Sequence, residues 1–154
     1  MKKDELDEID KNILGILQDD ARKSYREIQN QLGISIGTIH NRISKLKNRQ
    51  IIEGYTLKLN NVKLGYKLTF LIRIQIDGKH TEEILSEIKK KPEVCSVFHT
   101  TGEQSAALIC RFKESEDVHK FIRVLNENKY ILRTVSNMVL KEYKNSAYIE
   151  IPKP

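Results

Sequence analysis

The residues best equipped for chemistry lie between Ser35 and Gln50. Read as a helix at about 100° per residue, this stretch puts Ile39, Ile43 and Leu46 on one face. The opposite face holds Gly37, His40, Asn41, Ser44 and Asn48, with Thr38, Lys45 and Lys47 at its flanks. The stretch carries four cations (Arg42, Lys45, Lys47, Arg49) and no acid. Short polar side chains that donate or accept hydrogen bonds, edged by cations, suit a helix in the DNA major groove. There the polar groups meet base edges and the cations meet phosphates. Ser35, Gly37, Thr38, His40, Asn41, Arg42, Ser44, Lys45 and Lys47 are the candidate DNA contacts, Arg42 being nearest the core side. An ordinary helical hairpin with a solvated basic face would present the same cations. The spacing of the turn before the helix, together with the missing acids, favours DNA.

Three short elements must hold that face. Ser24 and Glu27 form a capping-box pattern at the start of a helix whose buried stripe is Ile28 and Leu32. Gly33 follows the last apolar residue, where a left-handed position favours glycine. Ser35 caps the next helix. Upstream, Asp7 can cap a helix to about Asp20, with Ile9, Ile13, Leu14 and Leu17 on one face and acids in its first turn. Residues 1–6 read as a frayed start. These three helices make a first domain, residues 1–50.

Residues 51–66 read as a linker. Tyr55, Leu57 and Leu59 alternate with Thr56 and Lys58, which predicts a strand that needs a partner. Gly65 marks a turn. Residues 67–154 follow the order β-α-β-β-α-β. The strands run Lys67 to Asp77, Val94 to Thr100, Ala106 to Phe112 and Ile131 to Tyr143. The helices run Thr81 to Lys91 and Ser115 to Asn128, the second capped by Ser115. The fold class is α+β, with a ferredoxin-like split βαβ domain carrying two helices on one face of an antiparallel sheet. On the other face, Leu71, Val97, Ile109, Met138 and Leu140 are predicted at matching parity. With Tyr55 and Leu57 they form a candidate oligomer interface, since a solvated face should be polar. Scattered surface apolar residues would be the plainer account. In the tail, Tyr148 and Ile149 are candidates to pack.

The totals exclude more than they assign. The 154 residues carry a net charge of +6, which splits into 11 cations and 9 acids over residues 1–60 and 16 and 12 over the rest. The basic signal is therefore local to one helix. No apolar run is long enough to span a bilayer and no signal-type segment opens the chain, so a cytoplasmic protein is expected. His40, His80, His99 and His119 lie in four different elements without metal-ligand spacing, so no metal or cofactor is expected. Cys95 and Cys110 would face each other if Gly102-Glu103 were a two-residue turn, but two small core or interface residues are the simpler reading. No phosphate-binding loop, nucleophile elbow or paired-acid motif points to an enzyme.

Taken together, the motifs resemble the Lrp/AsnC (feast/famine) transcription regulators. The resemblance rests on Leu6-Asp7 with Asp10 and Ile13-Leu14, Asp20-Ala21-Arg22-Lys23-Ser24, Gly33-Ile34-Ser35, Arg42-Ile43-Ser44-Lys45-Leu46, Ile51 to Thr56 and Leu64-Gly65. It implies a winged-type helix-turn-helix domain joined by a linker strand to a sensing and oligomerisation domain. It also implies dimers, often tetramers or octamers, on double-stranded operator DNA. Where family members have an amino-acid effector, it sits near a Thr-Gly-x-Tyr-Asp loop. Here that loop reads Thr101-Gly102-Glu103-Gln104-Ser105, so Thr101, Gly102, Gln104 and Ser105 are the implied effector residues. A neutral pair replaces the usual Tyr-Asp, so Gln104 and Ser105 offer an ammonium group only neutral hydrogen bonds; Glu103 could compensate, but it points to the other side if the strand continues through it. Gln29 and Gln50 stand where the family usually has a small residue and a glycine. The competing reading keeps the second domain as a sensor and makes the hairpin a protein-interaction element.

Overall fold

The computed structural model describes residues 5–146 and 149–151; Tyr148 and the first four residues lie outside the described set. By backbone contacts the chain forms two compact units, Met1–Lys58 with Asn145–Pro154, and Leu59–Lys144.

In the first unit, α1 (Glu8–Asp19), α2 (Tyr25–Leu32) and α3 (Ile36–Asn48) follow one another through short turns. Asp7 caps α1 by accepting from the Asp10 amide. Ile13, Ile28, Ile39 and Ile43 are sealed at the centre, with Ile9, Ile16, Leu17, Leu32, Ile34 and Ile52 packed around them. Each fully buried isoleucine contributes about 1.5–3 kcal/mol of transfer free energy. α3 ends in a Schellman arrangement: the Gln50 amide donates to the Lys47 carbonyl and the Ile51 amide to the Leu46 carbonyl. Gln50 takes the left-handed conformation there (φ 56). The tail stretch from Asn145, expected with the second domain, groups with this unit. The Gln18 side chain holds it like a short ladder, donating to the Ile149 carbonyl (3.1 Å) and accepting from the Ile151 amide (3.1 Å).

The expected linker strand forms no ladder. Residues 53–60 belong to no helix or sheet, and Tyr55, Leu57 and Leu59 are exposed. Alternation along the chain marks which side chains could share a face, but a strand exists only through inter-strand hydrogen bonds, and no other described segment supplies them.

In the second unit, β1 (Leu68–Ile76), β2 (Val94–His99), β3 (Ala106–Phe112) and β4 (Ile131–Met138) form an antiparallel sheet in the order β2-β3-β1-β4, with α4 (Thr81–Ile88) and α5 (Ser115–Glu127) between them. Ile72, Ile74, Leu108, Cys110 and Phe112 on the sheet meet Ile84, Ile88, Val118, Phe121 and Leu125 on the helices. α5 begins at Ser115 without a side-chain cap, its capping position being Glu114, so Ser115 does not cap it as expected. α4 stops at Ile88, short of Lys91, and β4 stops at Met138, short of Tyr143.

Three of the five sheet residues expected on the outer face are not there. Val97 pairs with Leu108 and packs on the core, and Met138 pairs with Phe70, another core-side residue. Leu140 lies beyond the end of β4. A register irregularity between Val94 and Ser96 reverses the parity of β2, and another at Gln75/Ile76 interrupts the β1–β4 ladder. A bulge of one residue moves every later side chain to the other face. The true outer face carries Phe98, Ala107, Ile109, Leu71 and Val135, at least one apolar residue from each strand, with Arg73 and Arg111 among them.

Candidate nucleic-acid interface

Local hydrogen bonds fix the two helices that frame the interface. The Ser24 hydroxyl accepts from the Glu27 amide (3.3 Å) and the Glu27 carboxylate accepts from the Ser24 amide (2.8 Å), completing the expected capping box. Those bonds, with Lys23 nearby, pull the Glu27 carboxyl down to about 2. Gly33 turns the chain with φ 67, a conformation that strains other residues. Ser35 then accepts from the Thr38 amide (3.1 Å) and shares a hydrogen bond with the Thr38 hydroxyl (2.9 Å). Four backbone amides at the start of α3 lack intrahelical partners; the Ser35 cap takes one of them, and no acid stands in that first turn.

The exposed side of α3 consists of Ile36, Gly37, Thr38, His40, Asn41, Lys45, Lys47 and Asn48, while Ser44 is half-buried. A side chain at Gly37 would meet only the Ser35 hydroxyl, at 3.9 Å. The glycine therefore leaves the helix surface low rather than relieving crowding inside the protein. Asn41 and Lys45 stand one turn apart on the open side, where a base edge and a phosphate could be reached together. Lys47 lies over the Tyr55 ring, 5.1 Å from its centroid, an attraction that pins the first linker residues to the end of α3.

Arg42, on the core side of the candidate contacts, has partners within the protein. Its guanidinium donates to Asp7 and to Asp10 (2.9 Å) on α1. The two carboxylates raise its affinity for the proton, and Arg42 in turn holds the Asp7 carboxyl below the usual range. With 27% of the side chain exposed and both acids in reach of one guanidinium nitrogen, it braces α3 against α1. Acids in a first turn read from sequence as dipole partners; only the fold shows them converging on an arginine 32 and 35 positions away. Sequence reasoning also missed Tyr25. Its ring meets the His40 ring edge-on, with centroids 6.0 Å apart and planes at 71°.

The loop expected to meet an effector is closed on itself. The Thr100 hydroxyl donates to the Gln104 carbonyl (2.7 Å) and the Thr100 amide to the Ser105 carbonyl (2.8 Å). Ser105 hydrogen-bonds both backbone groups of Ile76, accepting from the amide (3.1 Å) and donating to the carbonyl (3.3 Å). Its hydroxyl replaces ladder bonds at the end of β1. Glu103 pairs with Arg133 (3.3 Å), and Gly102 sits at φ 103, where a side chain would be strained. Thr101 and Gly102 are exposed and Gln104 half-buried. The pairing of His99 with Ala106 across this six-residue loop would carry Cys95 opposite Cys110, but the irregularity between Val94 and Ser96 leaves Val94 there instead. Both cysteines are free, and burial, with Cys95 and Glu93 adding to it, pushes the Cys110 thiol up to about 12. Among the described residues no group of three or more His, Cys, Asp or Glu side chains is placed to hold a metal ion, and no helix is long and apolar enough to cross a membrane.

Comparison with known proteins agrees with this geometry. Residues 6–53 match the winged helix-turn-helix DNA-binding family and residues 69–149 the Lrp/AsnC ligand binding domain. An uncharacterised HTH-type transcriptional regulator of Pyrococcus abyssi is 41% identical over 94% of this chain and 99% of its own length. An HTH-type transcriptional regulator of Methanocaldococcus jannaschii is 37% identical over 95% and 99%. The structure of AsnC from E. coli superposes with a TM-score of 0.87 at 27% identity, covering 94% of this chain and 99% of that one. A transcriptional regulator of Neisseria meningitidis, crystallised as a complex with L-Met, gives 0.88 at 26% identity over 94% and 96%.

Proposed function

The chain belongs to the Lrp/AsnC family of DNA-binding transcription regulators, and from that premise we propose that it reads an operator through the outer side of α3. The observation that carries this reading is the acid-free α3 surface, held in place by a complete capping box and a serine cap. In it, Gly37, His40, Asn41 and Ser44 face base edges, and Thr38, Lys45 and Lys47 serve phosphates or the edge of the contact. Ser35 serves as the cap that sets the helix start, and Arg42 as its brace. The protein works by binding rather than by catalysis, in the cytoplasm with the chromosome. Residues 1–50 form the DNA-binding domain, 51–66 the linker, and 67–144 the sensing and oligomerisation domain.

A second copy covers the outer sheet face and pairs with the extended linker, giving a homodimer and, by family precedent, tetramers or octamers. Two supports are the apolar residue that each strand presents on that face and the exposed Tyr55, Leu57 and Leu59 of an unpaired segment. A two-fold dimer then sets two α3 helices on successive turns of the duplex. An amino-acid effector is part of the proposal because a structural relative was crystallised with L-Met. With Ser105 engaged by Ile76 and Glu103 by Arg133, Thr101 and Gln104 are left to contact it through neutral hydrogen bonds, beside Gly102.

The test is binding to the protein's own upstream DNA and to a scrambled duplex across a salt series. Each phosphate contact contributes a slope of about −0.9 in log K against log salt. We expect a sequence-specific complex with a steep slope. Asn41→Ala should lower the preference for the specific duplex, whereas Lys45→Ala should lower affinity on both duplexes and reduce the slope by about 1. No binding to either duplex at low salt, with or without added amino acids, would leave the protein-interaction reading of the hairpin in its place.

A further inference from the structure

We propose that Tyr25 is a specificity-determining positioning residue: its ring, at the first position of α2, holds the His40 imidazole in one orientation on the reading side of α3. The inference rests on the assignment of α3 as the DNA-reading helix.

Tyr25 and His40 belong to different helices, and both helix starts are fixed. The capping box of Ser24 and Glu27 sets the backbone that carries Tyr25. The Gly33 turn and the Ser35 cap set the start of α3 at Ile36, one turn before His40. The ring pair bridges the two helices on the solvent side of the hairpin, opposite the Ile28, Ile39 and Ile43 core. The edge-to-face arrangement is the attractive one for such rings. Among the described residues neither ring nitrogen of His40 has a hydrogen-bond partner, so the polar edge of the imidazole stays open while its carbon framework is held. An exposed histidine otherwise loses rotamer freedom when it contacts a base, and that loss subtracts from affinity. A side chain already held where it reads loses less, and its hydrogen bonds discriminate better because a wrong base cannot be met by a small ring rotation.

The structure offers Tyr25 one other role. About a third of its surface is exposed, and tyrosine hydroxyls commonly bond phosphates. A phosphate contact would be lost with the hydroxyl and would matter equally on every sequence. A positioning role survives loss of the hydroxyl and matters only on the specific site.

The experiment is a double-mutant cycle on the full-length chain, with affinities for the upstream duplex and a scrambled duplex at one salt concentration. The proteins are the wild type, Tyr25→Ala, His40→Ala, the double variant, and Tyr25→Phe; Tyr25→Leu stands in if alanine fails to fold. We expect Tyr25→Ala and His40→Ala each to reduce the specific-to-scrambled ratio by about fivefold. The double variant should lose no more than His40→Ala, and Tyr25→Phe should keep the wild-type ratio. Multiplying losses in the double variant would overturn the proposal, as would equal weakening on both duplexes in Tyr25→Phe. A reduced ratio in His40→Ala beside an unchanged one in Tyr25→Ala overturns it alone. An unchanged ratio in His40→Ala removes the base-reading role of His40 and the proposal with it.

Discussion

Gln50 is the residue whose conformation is least natural to its side chain. It ends α3 at φ 56, in the position where the Schellman arrangement takes glycine. A left-handed residue with a side chain costs roughly 1–2 kcal/mol, part of which glycine returns through its looser unfolded state. Gln50→Gly is therefore expected to stabilise the helical unit by roughly 0.5–1 kcal/mol. Denaturant unfolding followed by helical circular dichroism reads this directly; no gain would mean that the Gln50 side chain makes up for its backbone. Arg42 teaches a different lesson at the same scale. Its charge marks it from sequence as a phosphate contact, yet its hydrogen bonds are spent on Asp7 and Asp10.

Among the elements, α2 shows how a local motif gives pH dependence. The Glu27 carboxyl sits at about 2 in the folded chain against an ordinary value of 4.5. A carboxyl lowered on folding stabilises the native state above its unfolded value. That contribution falls away as pH drops from about 4.5 toward 2, because the unfolded chain then binds the proton first. Glu27→Gln keeps a side chain able to complete the capping box but has nothing to titrate. Its unfolding free energy is expected to vary less with pH over that window than the wild type's, as measured by denaturant titrations at pH 5, 4 and 3. Equal slopes would show that the capping box is too loose in solution to favour the ionised form. The loop between β2 and β3 follows the same logic of local commitment. Ser105 closes the end of β1, and where the family has an aspartate this chain has a hydroxyl already in use.

At the scale of the whole molecule, the outer sheet face and the linker share one property: apolar side chains that the described residues leave partly or wholly exposed. Leu71 is 40% exposed and pairs with Ile109 at the centre of the face. Leu71→Glu leaves the core of the unit untouched but would bury a charge in the proposed dimer, which is costly without a partner. We expect it to shift the protein toward monomers in size-exclusion chromatography with light scattering, with unchanged circular dichroism. Affinity for the specific duplex should fall at least tenfold as the second half-site contact is lost. A variant that keeps the wild-type mass would exclude this face from the assembly.

The sequence by itself determined what local interactions decide. The capping box, the Gly33 turn, the Ser35 cap, the buried stripe of α3 and the order of strands and helices after residue 66 all depend on residues within a few positions of one another, and all are present. It also carried enough joint motifs to point to the family. Tertiary structure alone decided three things. Arg42 turns inward because two acids more than 30 positions earlier in the chain fold to meet it. Tyr25 reaches His40 because the turn sets the two helices at one angle. Val97 and Met138 lie on the helix-covered side of the sheet because irregularities in strand pairing, invisible in a pattern of alternating residues, change which side each residue joins. In each case the deciding contact lies across the fold, where no periodicity along the chain records it.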